Sequence, residues 1–422
     1  MRHFANPYIA STGEVITSSL PNANDFAQES LEMIERCFRN SCRKISCSDG
    51  NLYVGGIGVA WSALRVIHKL NTGFNNLLPL VRTYIEGMVD RICQTSARDN
   101  EDLLSFLLGR PGVWLTAVYL YQLTGDNANR DHFLELYGQI SPKFASRQIF
   151  PQGSDELFIG RAGYLCGLYE LRKITSQSVI SDDTIFEICD AMIESGQNYA
   201  KIRKSACPLM YAYYDTEYLG AGHGLAGILF ALMLFPCYLR ERSQSTQLVR
   251  AAIDYLICVT PPDTDNLPTA TDELAPRHRP VGHDLVHWCH GAAGAVYVYA
   301  RAYQLWKDQK YLDEVFKCAD VAWHRGLLKK GPGICHGVAG SGYVQLVAYR
   351  ATGCTEKRFE DRARACAAFL HEEAFKRGAR RPDNPYSLFE GLAGTACFLA
   401  DLAGSVDQAA FPFMDPFGPV ES

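Results

Sequence analysis

Two kinds of apolar pattern alternate along the chain. One is apolar all round, as in Ile228-Leu229-Phe230-Ala231-Leu232-Met233-Leu234-Phe235, and suits a helix buried on every side. The other is amphipathic: from Leu312, apolar residues fall at Val315, Phe316, Ala319, Ala322 and Trp323, with Asp313, Glu314, Lys317 and Asp320 between them. The first kind predicts inner helices and the second outer ones. Strand signals are sparse, so the reading is all-α.

The switch between the two patterns is punctuated by Gly-x-x-Gly. Seven copies occur, with first glycines at Gly55, Gly109, Gly160, Gly224, Gly291, Gly337 and Gly391, nearly all leading into an apolar stretch. Their intervals run from 46 to 67 residues, room for two helices per unit and at or just beyond the usual repeat length of ~20–50. A linear stack would need polar caps on its end repeats, and none is seen. Closing the hairpins into a double ring of seven inner and seven outer helices, an α/α toroid, removes the free ends and gathers the glycine turns on one rim. The glycines are expected to adopt positive φ in tight turns and to let backbones approach closely. Helix N-termini at that rim would aim unpaired N–H groups at the centre, where an anion or a polarised substrate could sit.

This organisation overrides the two or three domains that 422 residues would ordinarily suggest. The expectation is one domain over 1–422, with repeats from about 50 to 403, an irregular segment at 1–25 and a tail at 404–422 that packs as an irregular extension. The 47% hydrophobic content supports a large core, and a net charge of −5 gives no basis for a nucleic-acid partner. The fifteen cysteines are odd in number and scattered. Cys166, Cys189, Cys258, Cys318, Cys366 and Cys397 read as small buried hydrophobes in a reducing compartment. The N-terminus lacks the apolar core of a signal peptide, Arg2 stands where myristoylation needs glycine, and no stretch reaches the ~18 apolar residues of a membrane span. The expected location is cytoplasmic. Residues 260–284, polar and rich in proline, form a long connection of the kind that covers sites.

Two of the seven turns carry metal-ligand chemistry: Trp288-Cys289-His290-Gly291 and Ile334-Cys335-His336-Gly337. All four Cys and His residues could close a structural Cys₂His₂ zinc site. Alternatively Cys289, Cys335 and His336 bind, leaving the fourth tetrahedral position open to water or a thiol; a third reading is a coincidence of buried cysteines. Mixed thiolate and imidazole ligands favour zinc, and an open zinc would hold a bound thiol as thiolate, far below its free pKa of about 8.5. His223 occupies in its turn the place of His290 and His336, so it reads as a proton donor or acceptor at the cavity or as a bond to a neighbouring turn. Glu156 and Glu390 are site acids or partners of rim N–H groups. As two opposed carboxylates they would also suit a glycosidase. Lys330 is a surface charge or a carboxylate clamp.

These residues resemble the eukaryotic LanC-like proteins, relatives of bacterial lanthionine cyclases. The likeness rests on His223-Gly224-Leu225-Ala226-Gly227, His287-Trp288-Cys289-His290-Gly291, Gly326-Leu327-Leu328-Lys329-Lys330-Gly331, Cys335-His336-Gly337 and Ser387-Leu388-Phe389-Glu390-Gly391, and it runs essentially end to end. It implies a double seven-helix toroid with one Zn²⁺ per chain on Cys289, Cys335 and His336. It also implies glutathione as bound substrate and dehydroamino-acid-containing proteins or peptides as acceptors, and it admits a peripheral contact with the plasma membrane. By position, His223 and His290 become the proton-handling histidines and Glu156 the accompanying acid, while Lys330, Arg380, Arg381, Pro382 and Asp383 match glutathione-contacting positions. Two departures stand out: Leu285 replaces the arginine that bacterial cyclases carry four residues before the zinc-binding cysteine, and His290 replaces their tyrosine after it.

Overall fold

Alternation of buried and amphipathic stretches becomes alternation of inner and outer helices in a computed structural model, which describes residues 1–18, 20–43, 50–97 and 100–418. In chain order the long helices are α1 (Ala23–Ser41), α2 (Gly56–Leu70), α3 (Leu78–Cys93), α4 (Arg110–Thr124), α5 (Asn127–Gln139), α6 (Arg161–Thr175) and α7 (Asp182–Arg203). They continue as α8 (Leu225–Leu232), α9 (Ser243–Val259), α10 (Ala292–Trp306), α11 (Gln309–Arg325), α12 (Val338–Ala351), α13 (Lys357–Phe369) and α14 (Leu392–Ala403). Every even-numbered helix is N-capped by the first glycine of a repeat.

The even-numbered helices pack each on the next, and α14 returns to α2, which closes the inner ring. Odd-numbered helices lie outside: α1 bridges α14 and α2, α11 bridges α10 and α12, and α13 lies on α12 and α14. The molecule is an all-α, α/α toroid. One helix is shorter than its apolar pattern suggests. The run Ile228–Phe235 leaves α8 at Leu232, because Pro236 opens a separate short helix and disfavours helical backbone at the residue before it. None of the described helices is long and apolar enough to cross a membrane.

The expected positive φ holds for one first glycine only. Gly291 has φ +99°, whereas Gly55, Gly109, Gly160, Gly224, Gly337 and Gly391 have φ between −81° and −130°. Close approach is the general reason. A Cβ on the second glycine of any repeat would lie 1.9–2.7 Å from the carbonyl oxygen six residues earlier, as Gly294 on Trp288 and Gly340 on Ile334 illustrate. Each turn therefore folds back onto the first turn of the helix it starts, and only a residue without a side chain fits beneath it.

The tail is more than an irregular extension, because its apolar residues fill the middle of the ring. Phe411 stacks on Trp288 and meets Tyr297 and Tyr343, Phe413 packs against Trp61 and Phe106, and Trp288 Nε1 donates to Met414 Sδ. Beyond this plug, Asp415 is held by Arg350 at 2.8 Å and Lys173 at 3.3 Å. At the other end, α1 begins at Ala23, inside the 1–25 segment expected to be irregular, because Asn22 with Asp25 forms a capping box for it.

Candidate metal centre

At the rim, the residues three and two places before each N-cap glycine form a hub where neighbouring turns exchange backbone hydrogen bonds. Phe389 N donates to Tyr53 O, Leu52 N to Leu107 O, Leu107 N to Phe158 O, Gly222 N to Cys289 O, Trp288 N to Cys335 O and Cys335 N to Phe389 O, all at 2.8–3.2 Å. These bonds bring the Cys-His turns together although 46 residues separate them in sequence. They occupy adjacent places in the ring, with both cysteines at the same hub position.

The Sγ atoms of Cys289 and Cys335 and a ring nitrogen of His336 lie within 4.8 Å of one another. His290 is not part of that group, and its Nδ1 is buried with no hydrogen-bond partner among the described residues. Burial pushes the Cys335 thiol well above its ordinary value, and Cys289 beside it adds to the rise. Burial alone would lower His336, but its contact with Cys335 outweighs this and holds it above the ordinary value. Two sulfurs and an imidazole packed this closely are costly to ionise without a compensating cation. The donor set of two sulfurs and one imidazole fits zinc.

The hub supports this group in ways the motifs do not announce. Tyr53 Oη donates to Cys335 Sγ at 3.2 Å. A Cβ on Gly220 would fall 2.3 Å from Cys289 O, and one on Gly222 would fall 3.0 Å from Cys289 Cβ, so that strand of chain lies flat against the ligand turn. Asn266, from the long polar connection, is buried; its Oδ1 accepts from Ala292 N at 2.7 Å and its Nδ2 donates to Leu285 O at 3.0 Å. It thereby caps α10, and Gly291 adopts positive φ where a Cβ would strike Leu285 O.

His223 reaches the same hub and also bonds a neighbouring turn: its Nδ1 lies 2.8 Å from Glu156 Oε2. Glu156 is 2% exposed, and its other oxygen accepts from Ile159 N. A carboxylate accepts only, so Nδ1 carries the hydrogen and Nε2 is left for other work. The imidazole is sandwiched by Tyr213, stacked at 4.8 Å, and Phe158 at 4.4 Å. His290 stands on the far side of Tyr218, and burial, with His223 nearby, pushes its imidazole down to about 4.

The glutathione-type positions also converge. Arg380 N donates to Lys329 O at 2.7 Å, and Pro382 lies against Gly331, so Lys330 and the segment Arg380, Arg381, Pro382 and Asp383 share one edge. Lys330 is exposed, and its charge acts on His287, His290 and His336. Glu390 is tied to Asn384 Nδ2 at 2.9 Å. Glu156, bonded to His223 and Ile159, is held by different partners from Glu390.

Comparison with known proteins gives the family and the fold. The family model described as lanthionine synthetase C-like protein matches residues 46–415. A curated relative from Danio rerio, named glutathione S-transferase LANCL1, is 33% identical over 388 residues, covering 91% of this chain and 88% of its own. LanC-like protein GCL1 of Arabidopsis thaliana is 29% identical over 421 residues, covering 95% and 91%. Among solved structures, nisin cyclase superposes with a TM-score of 0.67 at 15% identity, over 93% of this chain and 96% of its own; at that identity the likeness concerns the fold.

Proposed function

Because the chain belongs to the lanthionine synthetase C-like family, we propose that it is a zinc-dependent thiol transferase that adds glutathione to dehydroalanine or dehydrobutyrine residues in proteins or peptides. The observation that carries this reading is the meeting of Cys289, Cys335 and His336 in one group, with His223 on the same hub. The name of the 33% identical relative supports glutathione as the thiol.

In this reading Cys289, Cys335 and His336 hold one zinc ion and leave a fourth position open. Zinc bound there supplies a Lewis acid that keeps an incoming thiol deprotonated at neutral pH. Lys330 and Arg380 face the carboxylates of glutathione, with Arg381, Pro382 and Asp383 completing that edge. The glutathione sulfur bonds to Cβ of the acceptor, the π pair moves toward Cα, and a proton must arrive at Cα to finish the addition. In this reading His223 delivers it through Nε2, with Glu156 holding Nδ1 in place. His290, the second histidine of this reading, lies beside the same Tyr218 ring as His223. The aromatic walls Tyr213, Phe158 and Tyr218 restrict how the imidazole can turn.

The test is to purify the protein with zinc, measure its metal content, and incubate it with glutathione and a dehydroalanine peptide. The expected result is about one zinc per chain and a peptide–glutathione adduct formed above the uncatalysed rate, both lost in Cys335→Ala. Zinc-loaded protein that forms no adduct above background would overturn the transferase reading.

One observation favours a second reading, a non-catalytic zinc- and glutathione-binding sensor or adaptor. Leu285 supplies no charge where the bacterial cyclases carry arginine, so an enolate at Cα would lack that stabilising cation. Saturable glutathione binding lost in Cys335→Ala, kept in His223→Ala and accompanied by no turnover would select it.

A further inference from the structure

We propose that Tyr53 is a positioning residue of the metal centre: from the first turn of the ring it donates a hydrogen bond to the Cys335 sulfur and ties metal retention to closure of the toroid. This inference deepens the zinc reading and rests on it. Tyr53 Oη lies 3.2 Å from Cys335 Sγ. Its ring cannot easily turn away, being stacked on Phe389 with centroids 5.0 Å apart and covered on another side by Phe158 at 4.8 Å. Its backbone is fixed as well, with O accepting from Phe389 N and N donating to Leu107 O.

A donor at this point has a task. Cys335 is 1% exposed, so water does not serve its sulfur, and a buried acceptor needs a partner. Cys289 and His336 also touch that sulfur. As co-ligands, however, they turn their own lone pairs to the ion and donate nothing, which leaves the Tyr53 hydroxyl as the remaining donor among the described residues. A hydrogen bond to a ligating sulfur orients its lone pairs and draws off part of its charge, and such outer partners typically govern metal affinity by 10- to 100-fold.

The connection also has a topological side. The ligands come from the fifth and sixth turns of the ring, whereas Tyr53 belongs to the first and reaches them across Phe389 of the seventh. Metal binding is thereby tied to the junction at which the beginning and the end of the repeat array meet. Loading the site strengthens that junction, and opening the junction loosens the site.

The experiment uses full-length protein and Tyr53→Phe, which keeps the ring between Phe158 and Phe389 and removes only the hydroxyl. Cobalt substitution reports the sulfur directly through its thiolate-to-metal absorption band, and competition with a chelator reports zinc affinity. In Tyr53→Phe the band is expected to move to lower energy, zinc affinity to fall roughly 10- to 100-fold, and the rise in melting temperature on zinc loading to shrink. Wild-type protein that takes up no cobalt would overturn the metal reading and this inference together. Wild-type protein that takes it up, with Tyr53→Phe matching it in band position and affinity, would overturn this inference alone.

Discussion

His223 Nδ1 meets Glu156 Oε2 at 2.8 Å across the one junction where the hub residues of neighbouring turns exchange no backbone hydrogen bond among the described residues. At the other six junctions peptide groups hold the turns together. Here a side-chain pair joins the hub residues, with the backbone bond from Tyr214 N to Gln152 O farther out, and the pair is itself the candidate proton-handling device. Removing the imidazole in His223→Ala is expected to slow adduct formation by roughly 10²- to 10⁴-fold, the range for a lost general acid or base, while zinc content stays at wild-type level. Glu156→Gln keeps a partner for Nδ1 but loses the charge, and a smaller loss of rate is expected. An unchanged rate in His223→Ala, measured on zinc-loaded protein, would remove this histidine from the reaction.

Gly294 tests how tightly the ligand turn is fixed. A methyl group there would sit 1.9 Å from Trp288 O, so the turn bearing Cys289 must shift. Gly294→Ala is expected to cost about 3 kcal/mol, at the upper end for overpacking, and to weaken zinc retention. Gly163→Ala, whose methyl would meet Leu157 O at 2.2 Å, is expected to cost a similar amount and spare the metal. Chemical denaturation and metal analysis of the two variants separate the effects, and equal zinc loss in both would contradict the assignment.

Phe411 is 1% exposed and touches Trp288, Tyr297, Tyr343 and Phe389. Phe411→Ala leaves a cavity at the middle of the inner ring, and a loss of about 3–5 kcal/mol is expected from denaturant unfolding. A loss under 1 kcal/mol, roughly the scale of a surface change, would mean that the tail does not fill the ring in solution.

The charge that anchors this plug predicts a pH dependence. Burial alone would raise Asp415, but Lys173 and Arg350 outweigh it and hold the carboxyl well below its usual range. A group whose folded pKa is depressed stabilises above its unfolded value, about 3.9 for aspartate, and the benefit fades as pH falls toward the folded value. Asp415→Asn is therefore expected to cost about 3–5 kcal/mol at pH 7, as breaking a buried pair does. The gap to wild type should narrow below about pH 4. A constant gap from pH 7 to pH 3 would exclude the charge as its source.

The toroid was legible because glycine is the only residue that fits beneath a folded-back turn, so the architecture writes itself into the chain seven times. The same glycines misled about backbone angle: steric approach to a carbonyl and positive φ select the same residue, and only Gly291 needs both. Cys289, Cys335 and His336 could be named because their motif repeats, and their meeting follows from adjacent places in the ring. Tyr53 and Asn266 could not, since each acts through side-chain hydrogen bonds to a turn outside its own segment. The tripeptide pattern Gly220-x-Gly222 was a usable signal for a segment pressed against another backbone. Phe411-Pro412-Phe413 looked like loose extension because a segment without helical period gives no sign of what it packs into.

A ring whose central filling follows its last inner helix cannot be finished when that helix has been made. Until Phe411, Phe413 and Met414 leave the ribosome, the inner helices face a hollow lined by Trp61, Trp288 and Tyr343. Until α14 arrives, α1 has only one of the two helices it bridges. Assembly therefore waits for this segment, and termination even a few residues upstream of Phe411 yields a chain with all fourteen long helices and no keystone, a substrate for chaperones and proteases rather than a slightly weakened protein.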